Sequence, residues 1–210
     1  MTNPLRNFLQ AVRADYGTVQ RYRAKYHDDQ RPLGRLPADA VTKIGFQMMI
    51  AMRTMAFFRN AGVPLLPQVA SRFIRHAYGA EVHWNTTIRD GIAIVHGTGL
   101  VLSHRAVVGE GCILFHNVTL GEGLDPETKE SGAPTLGRDV HIGPGCTLLG
   151  PIHVGDGSKI MAGTVLTRSV PAGSLVRPAE AVVTERNHNR ARASRTSRGE
   201  VASNADADGS

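Results

Sequence analysis

The chain has 210 residues, 41% of them hydrophobic, with a formal net charge of +6 and two cysteines. This length supports one ordinary domain with an appendage, and the cysteines are too few and too far apart for a disulfide framework or a zinc knuckle. No apolar stretch is long enough for a membrane span and no secretory signal stands at the start, which predicts a cytoplasmic protein.

Much of the positive charge lies near the C-terminus, in the arginine-rich stretch TERNHNRARASRTSRGE. This stretch and the following VASNADADGS contain few large apolar residues, which predicts a disordered tail over residues 184–210. Because the charge is concentrated in this tail, we expect no nucleic-acid partner.

Residues 1–79 are predicted to form an α-helical N-terminal domain. In LRNFLQAVRADYGTVQRYRAKY, apolar residues recur every three or four positions. RPLGRLP breaks this pattern, and Asp39 is expected to cap a second helix over AVTKIGFQMMIAMRTMAFFRNAG. LPQVASRFIRHAYG predicts a third helix that ends near Gly79. The Met- and Phe-rich residues 44–58 have two interpretations: burial inside the protein or its assembly, and peripheral contact with a membrane surface.

After Gly79 the sequence changes to a six-residue period. From Leu136 the hexads are LGRDVH, IGPGCT, LLGPIH, VGDGSK, IMAGTV and LTRSVP, and each opens with an aliphatic residue. Upstream, the same step is kept by Val82, Ile88, Ile94 and Leu100. After a slip of two residues it is resumed by Val108, Leu114 and Leu120.

A six-residue repeat of this kind predicts a parallel β-helix. Each hexad forms a short strand and a corner, three hexads complete a triangular coil, and the aliphatic residue points inward onto its counterpart one coil away. Thirteen hexads predict just over four coils across residues 80–172. The polar stretch at 121–135 is expected to be an extruded loop, and residues 173–183 a C-terminal extension.

The hexads resemble the left-handed β-helix acyltransferases of the hexapeptide-repeat family. Residues 81–171 are most similar to its serine acetyltransferase branch, including sugar O-acetyltransferase relatives. The matching segments are EVH at 81–83, IVHGTG, VVGE, NVTLGEG and, after the loop, IGPGCTLLGPIHVGDGSKIMAGTVLTRSVP. The implied fold is mainly β, a left-handed parallel β-helix preceded by an α-helical domain.

The resemblance implies an O-acetyltransferase that uses acetyl-CoA and no metal. The histidine of the family segment that matches IVHGTG is the general base, which is His96 here. A neutral imidazole can accept the acceptor's hydroxyl proton while the oxygen attacks the thioester. The tetrahedral intermediate then needs N–H donors, and the backbone of Gly121 and Glu122 is the candidate.

The hexad register places His96 and His116 at one corner of the β-helix. Each lies two residues after an inward aliphatic residue, Ile94 or Leu114. The 20 residues between these two equal one coil of 18 plus the slip of two. The histidines are therefore expected one coil apart, about 5 Å along the axis.

Below the histidines, the same corner is expected to form a groove that suits coenzyme A. If Leu136 opens a new coil, the corner continues to Pro144 and then to Ala162. Gly163 is expected to contact the cofactor through its backbone, and Lys159 is a candidate for its phosphates.

Three residues are candidates for binding the acceptor. Glu81 stands where the serine enzymes carry an aspartate that binds the substrate amine, and His83 is its neighbour. His116 has two interpretations, substrate contact or a solvated corner residue. His104 falls on a fifth hexad place, for which we expect a structural role.

Two departures from the family pattern bear on the acceptor. Serine acetyltransferases carry an Arg-His pair before the proline that follows the loop, and these places are Gly132 and Ala133 here. The aspartate that usually precedes the catalytic histidine is Val95, which leaves the imidazole without a carboxylate partner. Nothing obvious replaces the arginine that would bind an amino acid's carboxylate, so the acceptor stays open between L-serine and a sugar or glycan.

Two other functions occur on this fold. γ-type zinc carbonic anhydrases bind the metal with three histidines, but the expected His-x4-His step is missing because position 121 is Gly121. A non-catalytic scaffold is the other alternative, and it predicts normal function after His96→Ala. The resemblance also implies a homotrimer or a dimer of trimers, with sites between neighbouring chains.

Overall fold

The computed structural model describes residues 4–26, 35–125 and 127–182. The predicted arginine-rich tail at 184–210 lies outside these ranges. The chain divides into two compact units, the first of which extends to Pro178. The described part of the second unit, residues 179–182, contains no helix or strand. Within the described residues, four helices precede sixteen short strands.

The N-terminal region contains the four helices α1 (Pro4–Tyr26), α2 (Leu36–Thr42), α3 (Ile44–Asn60) and α4 (Leu66–Tyr78). The first and last predicted helices are confirmed, and α4 ends at Tyr78, before Gly79, whose left-handed conformation (φ +61°) is a common way to end a helix. The second predicted helix is divided, because Lys43 is extended between α2 and α3.

The prediction of Asp39 as a helix cap is wrong. Asp39 lies inside α2 and its side chain is buried, because the carboxylate is used for tertiary contacts instead. It accepts a hydrogen bond from the Tyr16 hydroxyl at 3.0 Å and pairs with the Arg23 guanidinium at 3.2 Å.

Three parallel sheets form the faces of the β-helix, and each of the first four coils contributes one strand to each sheet. Sheet A contains β1 (Glu81–Val82), β4 (Val101–Leu102), β7 (Thr119–Gly121), β12 (Thr147–Leu149) and β15 (Val165–Leu166). Sheet B contains β2 (Thr87–Ile88), β5 (Val107–Val108), β10 (Thr135–Leu136) and β13 (His153–Val154). Sheet C contains β3 (Ala93–Val95), β6 (Ile113–Phe115), β11 (His141–Ile142), β14 (Lys159–Ile160) and β16 (Leu175–Val176). The predicted parallel β-helix after a helical region is confirmed.

The two-residue slip lies elsewhere than predicted. Leu102, not Leu100, occupies the inward column, because Leu102 pairs with Val82 and with Leu120. Leu100 is also buried, so hydrophobicity alone does not distinguish the two. The extra residues lie between Ile94 and Leu102, at the corner that contains His96.

The β-helix also extends past residue 172, its predicted end. β16 pairs with β14, and Val170 forms a bridge with Val154. The last coil is shorter than the others, since Leu175 pairs with Lys159 sixteen positions earlier. With five strands in two of the sheets, the helix has about five turns instead of just over four.

The extruded loop contains a small antiparallel hairpin of β8 (Gly123–Leu124) and β9 (Ser131–Gly132). The Asp125 carboxylate accepts hydrogen bonds from the N–H groups of Thr128 at 2.8 Å and Glu127 at 2.9 Å. These two bonds hold the pKa of Asp125 below its ordinary value, because they stabilise the ionised carboxylate.

A buried ion pair attaches the helices to the first coil. Nε and Nη2 of Arg53 on α3 each donate to the Asp15 carboxylate on α1 at 2.8 Å. Arg53 also donates to the carbonyl of Arg89 at 2.7 Å, and Asp15 accepts the N–H of Ile92 at 3.0 Å. The pair thus bridges two helices and the strand region of coil one.

Of the two interpretations of residues 44–58, burial is confirmed for five large side chains, and membrane contact is wrong for these five; Ile44, at the start of the segment, is exposed. The five are at most 3% exposed and belong to the same apolar core as the strands: Phe46, Met48, Met49, Met52 and Met55. The segment is apolar because it lies between α1, α4 and β3. No helix in the described ranges is both long and apolar enough to cross a membrane.

Candidate active site

His96 lies on an irregular corner between sheet C and sheet A. Its side chain is exposed and its backbone is left-handed, with φ of +70°, followed by Gly97 at +78°. The corner hydrogen bond runs from Asn117 N–H to Thr98 O at 2.9 Å, so Thr98 is the regular turn residue. His96 and Gly97 are therefore the two extra residues of this coil. A non-glycine residue held in this conformation is uncommon outside turns and functional sites.

His116 lies at the same corner one coil later, as the register predicts. The two imidazole rings have centroids 5.6 Å apart at an angle of 72°. The Nδ1 atom of His116 is buried and has no hydrogen-bond partner within the described residues. Of the two histidines, His96 therefore has an exposed ring, and His116 has a ring nitrogen without a hydrogen-bond partner in the described part of the chain.

The corner continues from His116 to Pro144 and Ala162, which confirms this part of the predicted column; its regular member in the coil before His116 is Thr98, not His96. Gly145 N–H donates to His116 O at 3.1 Å, and Gly163 N–H donates to Pro144 O at 2.9 Å. Ala162 and Gly163 are exposed. This edge of the β-helix is thus lined by small residues below the histidines.

A cavity of about 600 Å³ opens beside His96. Its walls come from α1, the α2–α3 junction and the outer face of β3 and β6. Among the residues that line it are Tyr16, Tyr22, Lys43, Gly45, His96 and Phe115. None of these helical residues was predicted from the sequence to belong to a site.

Gly45 brings the start of α3 against His96. A Cβ atom at this position would collide with the carbonyl oxygen of Ile94 and would lie 3.7 Å from the His96 amide nitrogen. Only glycine permits this approach between the helix and β3. A glycine inside a helical pattern is the signal in the sequence that points to such a close backbone contact.

A second group of predicted residues lies at a different corner, between sheets A and B. His83 and His104 have ring centroids 5.4 Å apart, and His104 Nδ1 lies 2.7 Å from a Glu122 carboxylate oxygen. Gly121, at the end of β7, belongs to the same corner. One chain therefore does not bring Gly121 and Glu122 to the corner of His96. The fifth hexad place predicted for His104 is wrong, because Leu102 occupies the inward column and His104 therefore lies on an exposed turn. The structural role expected for His104 stays a prediction.

Glu81 and His83 have local partners. Glu81 pairs with Arg75 at 3.0 Å, with both side chains largely exposed. His83 Nδ1 accepts the Asn85 N–H at 3.1 Å. Burial lowers the pKa of His83, and the neighbouring His104 adds to this effect.

Lys159 is exposed on β14 and borders a smaller cavity of about 160 Å³ beside α1. Lys25 and His141 line the same cavity. Burial lowers the pKa of His141, and the two lysines contribute to the same shift because they repel a charged imidazolium.

The loop positions that carry the Arg-His pair in the resembled family are closely packed here. Ala133 is 8% exposed, and a Cβ atom at Gly132 would lie 2.6 Å from the Pro151 Cβ. An arginine does not fit at position 132 in this packing. Elsewhere, the described residues show no cluster of three or more His, Cys, Asp or Glu side chains suited to a metal ion.

The repeats match a family of known proteins. Residues 133–168 match the model described as bacterial transferase hexapeptide, six repeats. A solved serine acetyltransferase from Neisseria gonorrhoeae, in complex with serine, superposes with a TM-score of 0.69 at 26% identity, over 84% of this chain and 69% of that one. The fold and its repeats therefore place the chain among the hexapeptide-repeat proteins.

Two curated relatives narrow the family. The serine acetyltransferase of Bacillus pumilus is 35% identical over 151 residues, which cover 70% of this chain and 68% of the relative. That of Synechococcus elongatus is 35% identical over 134 residues, 63% of this chain and 53% of the relative. The chain spans about half the length of several curated relatives that it matches. It belongs to the serine acetyltransferase family.

Proposed function

We propose that the protein is an acetyl-CoA-dependent O-acetyltransferase with His96 as its general base. The observation that carries this proposal is the position of His96. Its side chain is exposed, its backbone is in the left-handed conformation, and it lies on the wall of a cavity of about 600 Å³, next to His116. Membership of the serine acetyltransferase family favours acyl transfer over zinc-dependent hydration or a purely structural role.

The proposed reaction needs no covalent enzyme intermediate. The imidazole of His96 accepts the proton of the acceptor hydroxyl while the oxygen attacks the thioester carbonyl of acetyl-CoA. The tetrahedral intermediate then collapses, the C–S bond breaks, and the imidazolium returns its proton to the departing thiolate. The products are the acetyl ester and coenzyme A.

Coenzyme A is proposed to lie along the corner below the histidines. Pro144, Ala162 and Gly163 leave that edge free of bulky side chains, and Lys159 supplies a cation for the phosphates. His116, one coil below His96, is proposed to contact the substrates through the accessible part of its ring.

The remaining site residues are proposed to act across an interface between copies. Gly121, Glu122, Glu81 and His83 lie away from the His96 cavity in one chain, so they reach a reacting group only in a neighbour. A homotrimer or a dimer of trimers meets this requirement. In it, the backbone N–H groups of Gly121 and Glu122 stabilise the oxyanion of the neighbour's intermediate.

L-Serine is the first acceptor that we propose, because the relatives are named serine acetyltransferases and the Neisseria gonorrhoeae structure holds serine. A sugar or glycan hydroxyl is the second candidate. The tight packing at Gly132 favours it, since the loop of this chain has no room for the arginine of the serine enzymes.

The test is release of free thiol from acetyl-CoA with L-serine, homoserine, sugars and nucleotide sugars as acceptors. For the preferred acceptor, His96→Gln is expected to lower kcat by about 10²-fold or more while acetyl-CoA binding is retained. His153→Gln, which changes an exposed histidine on sheet B, is the matched control. Unchanged turnover in the His96 variant refutes the assignment.

A further inference from the structure

We infer that Lys43 is an acceptor-binding residue, and that it binds a carboxylate on the molecule whose hydroxyl faces His96. The inference rests on the proposed function, because it uses the same site. It names the acceptor class as a small hydroxylated acid. The residue sits on the α2–α3 junction, outside the repeats that carry the family resemblance.

The charges along the cavity point to Lys43. Two of its residues carry permanent positive charges, Arg23 and Lys43. Arg23 is paired with the buried Asp39 at 3.2 Å, so its charge is already compensated. The Lys43 side chain is half-buried and has no ion pair within the described residues. A partly buried, uncompensated ammonium group favours an anionic ligand.

The backbone beside Lys43 adds to the same potential. Lys43 precedes the first turn of α3, and no side chain caps that helix. Ile44 and Gly45 of the first turn also line the cavity. The N–H groups at this end carry the positive end of the helix dipole. The cation and the dipole therefore act in the same direction.

The position of α3 relates Lys43 to the reacting group. Gly45 lies two residues after Lys43 and packs directly against the Ile94–His96 backbone. Lys43 and His96 line the same cavity, so one molecule bound there can present a carboxylate to Lys43 and a hydroxyl to His96. Aromatic rings of Tyr22, Phe46 and Phe115 line the space between the walls and reduce screening by water.

Two kinds of molecule carry this chemistry, a hydroxy amino acid such as serine and a sugar acid. The cavity is larger than serine requires, so both fit. In either case Lys43 on the helical region supplies the cation that position 132 of the loop does not. The helices, not the loop, would then select an acidic acceptor.

Calorimetry on the full-length protein tests the inference without turnover. The probes are two pairs in which one member carries a carboxylate and the other carries an uncharged group in its place, here called the neutral partner: L-serine against L-serinamide, which keeps its amine, and D-glucuronate against D-glucose. We expect one acid to bind roughly tenfold or more tightly than its neutral partner, as a charge-assisted contact predicts. If the serine pair shows this difference in affinity, the carboxylate is that of a hydroxy amino acid; if the glucuronate pair shows it, the carboxylate is that of a sugar acid.

Variants then assign the difference to Lys43. Lys43→Gln is expected to remove the preference for the acid and to leave the neutral partner's affinity unchanged. Lys43→Arg should retain most of the preference because the charge is kept. Arg72→Gln, which removes a cation from the exposed face of α4 outside the cavity, is the control and should behave as wild type. Thermal melts confirm that each variant is folded.

Three outcomes overturn the inference: no acid preference in the wild type, an unchanged preference in Lys43→Gln, or an equal loss for acid and neutral partner. Binding is measured without acetyl-CoA, so failure of the acetyl transfer itself is a separate result. Loss of thiol release with retained, Lys43-dependent binding would refute only the proposed reaction.

Discussion

The early and late coils of the β-helix turn the same corner in different ways. Between sheets C and A, the early coils place His96 and His116, and the late coils place Pro144 and Ala162. The early step, from Ile94 to its partner in β6, is 20 residues, whereas β11 pairs with β14 at a step of 18. In the late coils, regular hexads with small corner residues give coils of equal length. The longer early coil places His96 at the corner in an uncommon backbone conformation.

The two regions also differ in what covers them. Three of the four helices pack on the first coils, where α1 and α3 contact β3 and α4 contacts β1, and α2 packs on α3. Corner residues of the late coils, such as Ala162, remain exposed. The repeat therefore builds a scaffold, and the chemistry is expected where the repeat is broken and a second layer closes a cavity over it.

The largest expected effect comes from the ion pair that attaches the helices to the early coils. Asp15→Ala should lower the free energy of unfolding by about 3 kcal/mol, because the buried Arg53 charge then keeps only the exposed Asp90 carboxylate, 3.6 Å away, as an ion-pair partner. The comparison in the late coils is Asp156→Ala, whose partner Arg138 lies 3.0 Å away on an exposed surface. That change should be much smaller, since exposed pairs are screened by water. Chemical unfolding followed by circular dichroism measures the stability of both variants. Equal losses of stability would contradict a special role of the Asp15–Arg53 pair in attaching the helices to the early coils.

A second comparison concerns the inward column of sheet A. Leu120 in β7 is fully buried between β4 and β12, whereas Leu166 in β15 has a strand on one side only. Leu120→Ala should cost about 2–5 kcal/mol, because it leaves a cavity between two coils. Leu166→Ala should cost less, because the end of the stack can relax. Equal costs in unfolding experiments would mean that the last coil is as well supported as the middle.

The contact of α3 with the irregular corner gives an intermediate effect. Gly45→Ala should destabilise the protein by about 1–3 kcal/mol through overpacking against Ile94, and should lower kcat/KM by displacing the cavity wall. Gly17→Ala on α1 is the matched control, because its Cβ would meet only the Arg21 side chain at 3.9 Å. That change should be neutral or stabilising by up to about 1 kcal/mol. Normal kinetics in the Gly45 variant would show that this contact does not shape the site.

The smallest expected effect is the pH dependence that His141 confers. Its pKa is lowered by burial and by Lys159 and Lys25, so the unfolded chain binds the proton more tightly than the folded protein. His141 therefore reduces stability as pH falls through its unfolded pKa of about 6.5, and has no such effect at higher pH. Melting temperatures between pH 8 and pH 5 should fall less in His141→Gln than in the wild type. If the melting temperatures of the variant and the wild type fall in parallel with pH, the lowered pKa of His141 is contradicted.

The sequence predicted the repeat and the main corner because both depend on local spacing. A six-residue step fixes which residues point inward, and counting from Ile94 and Leu114 was enough to place His96 and His116 at one corner. The same counting did not locate the slip, because Leu100 and Leu102 are both aliphatic and both buried. Composition likewise did not distinguish a buried α3 from a membrane-contacting one, since both are apolar.

The helical residues of the candidate site required the tertiary structure. Lys43 and His96 are far apart in sequence and share no pattern, and they line one cavity only because α3 folds back against β3. From the sequence, Asp39 was predicted to cap a helix; in the structure its carboxylate contacts Tyr16 and Arg23 instead. The sequence by itself determined the β-helix, because a short period specifies neighbours one coil apart. Only the packing of helices on the first coils decided the surroundings of His96, because that packing depends on shape and charge between distant segments.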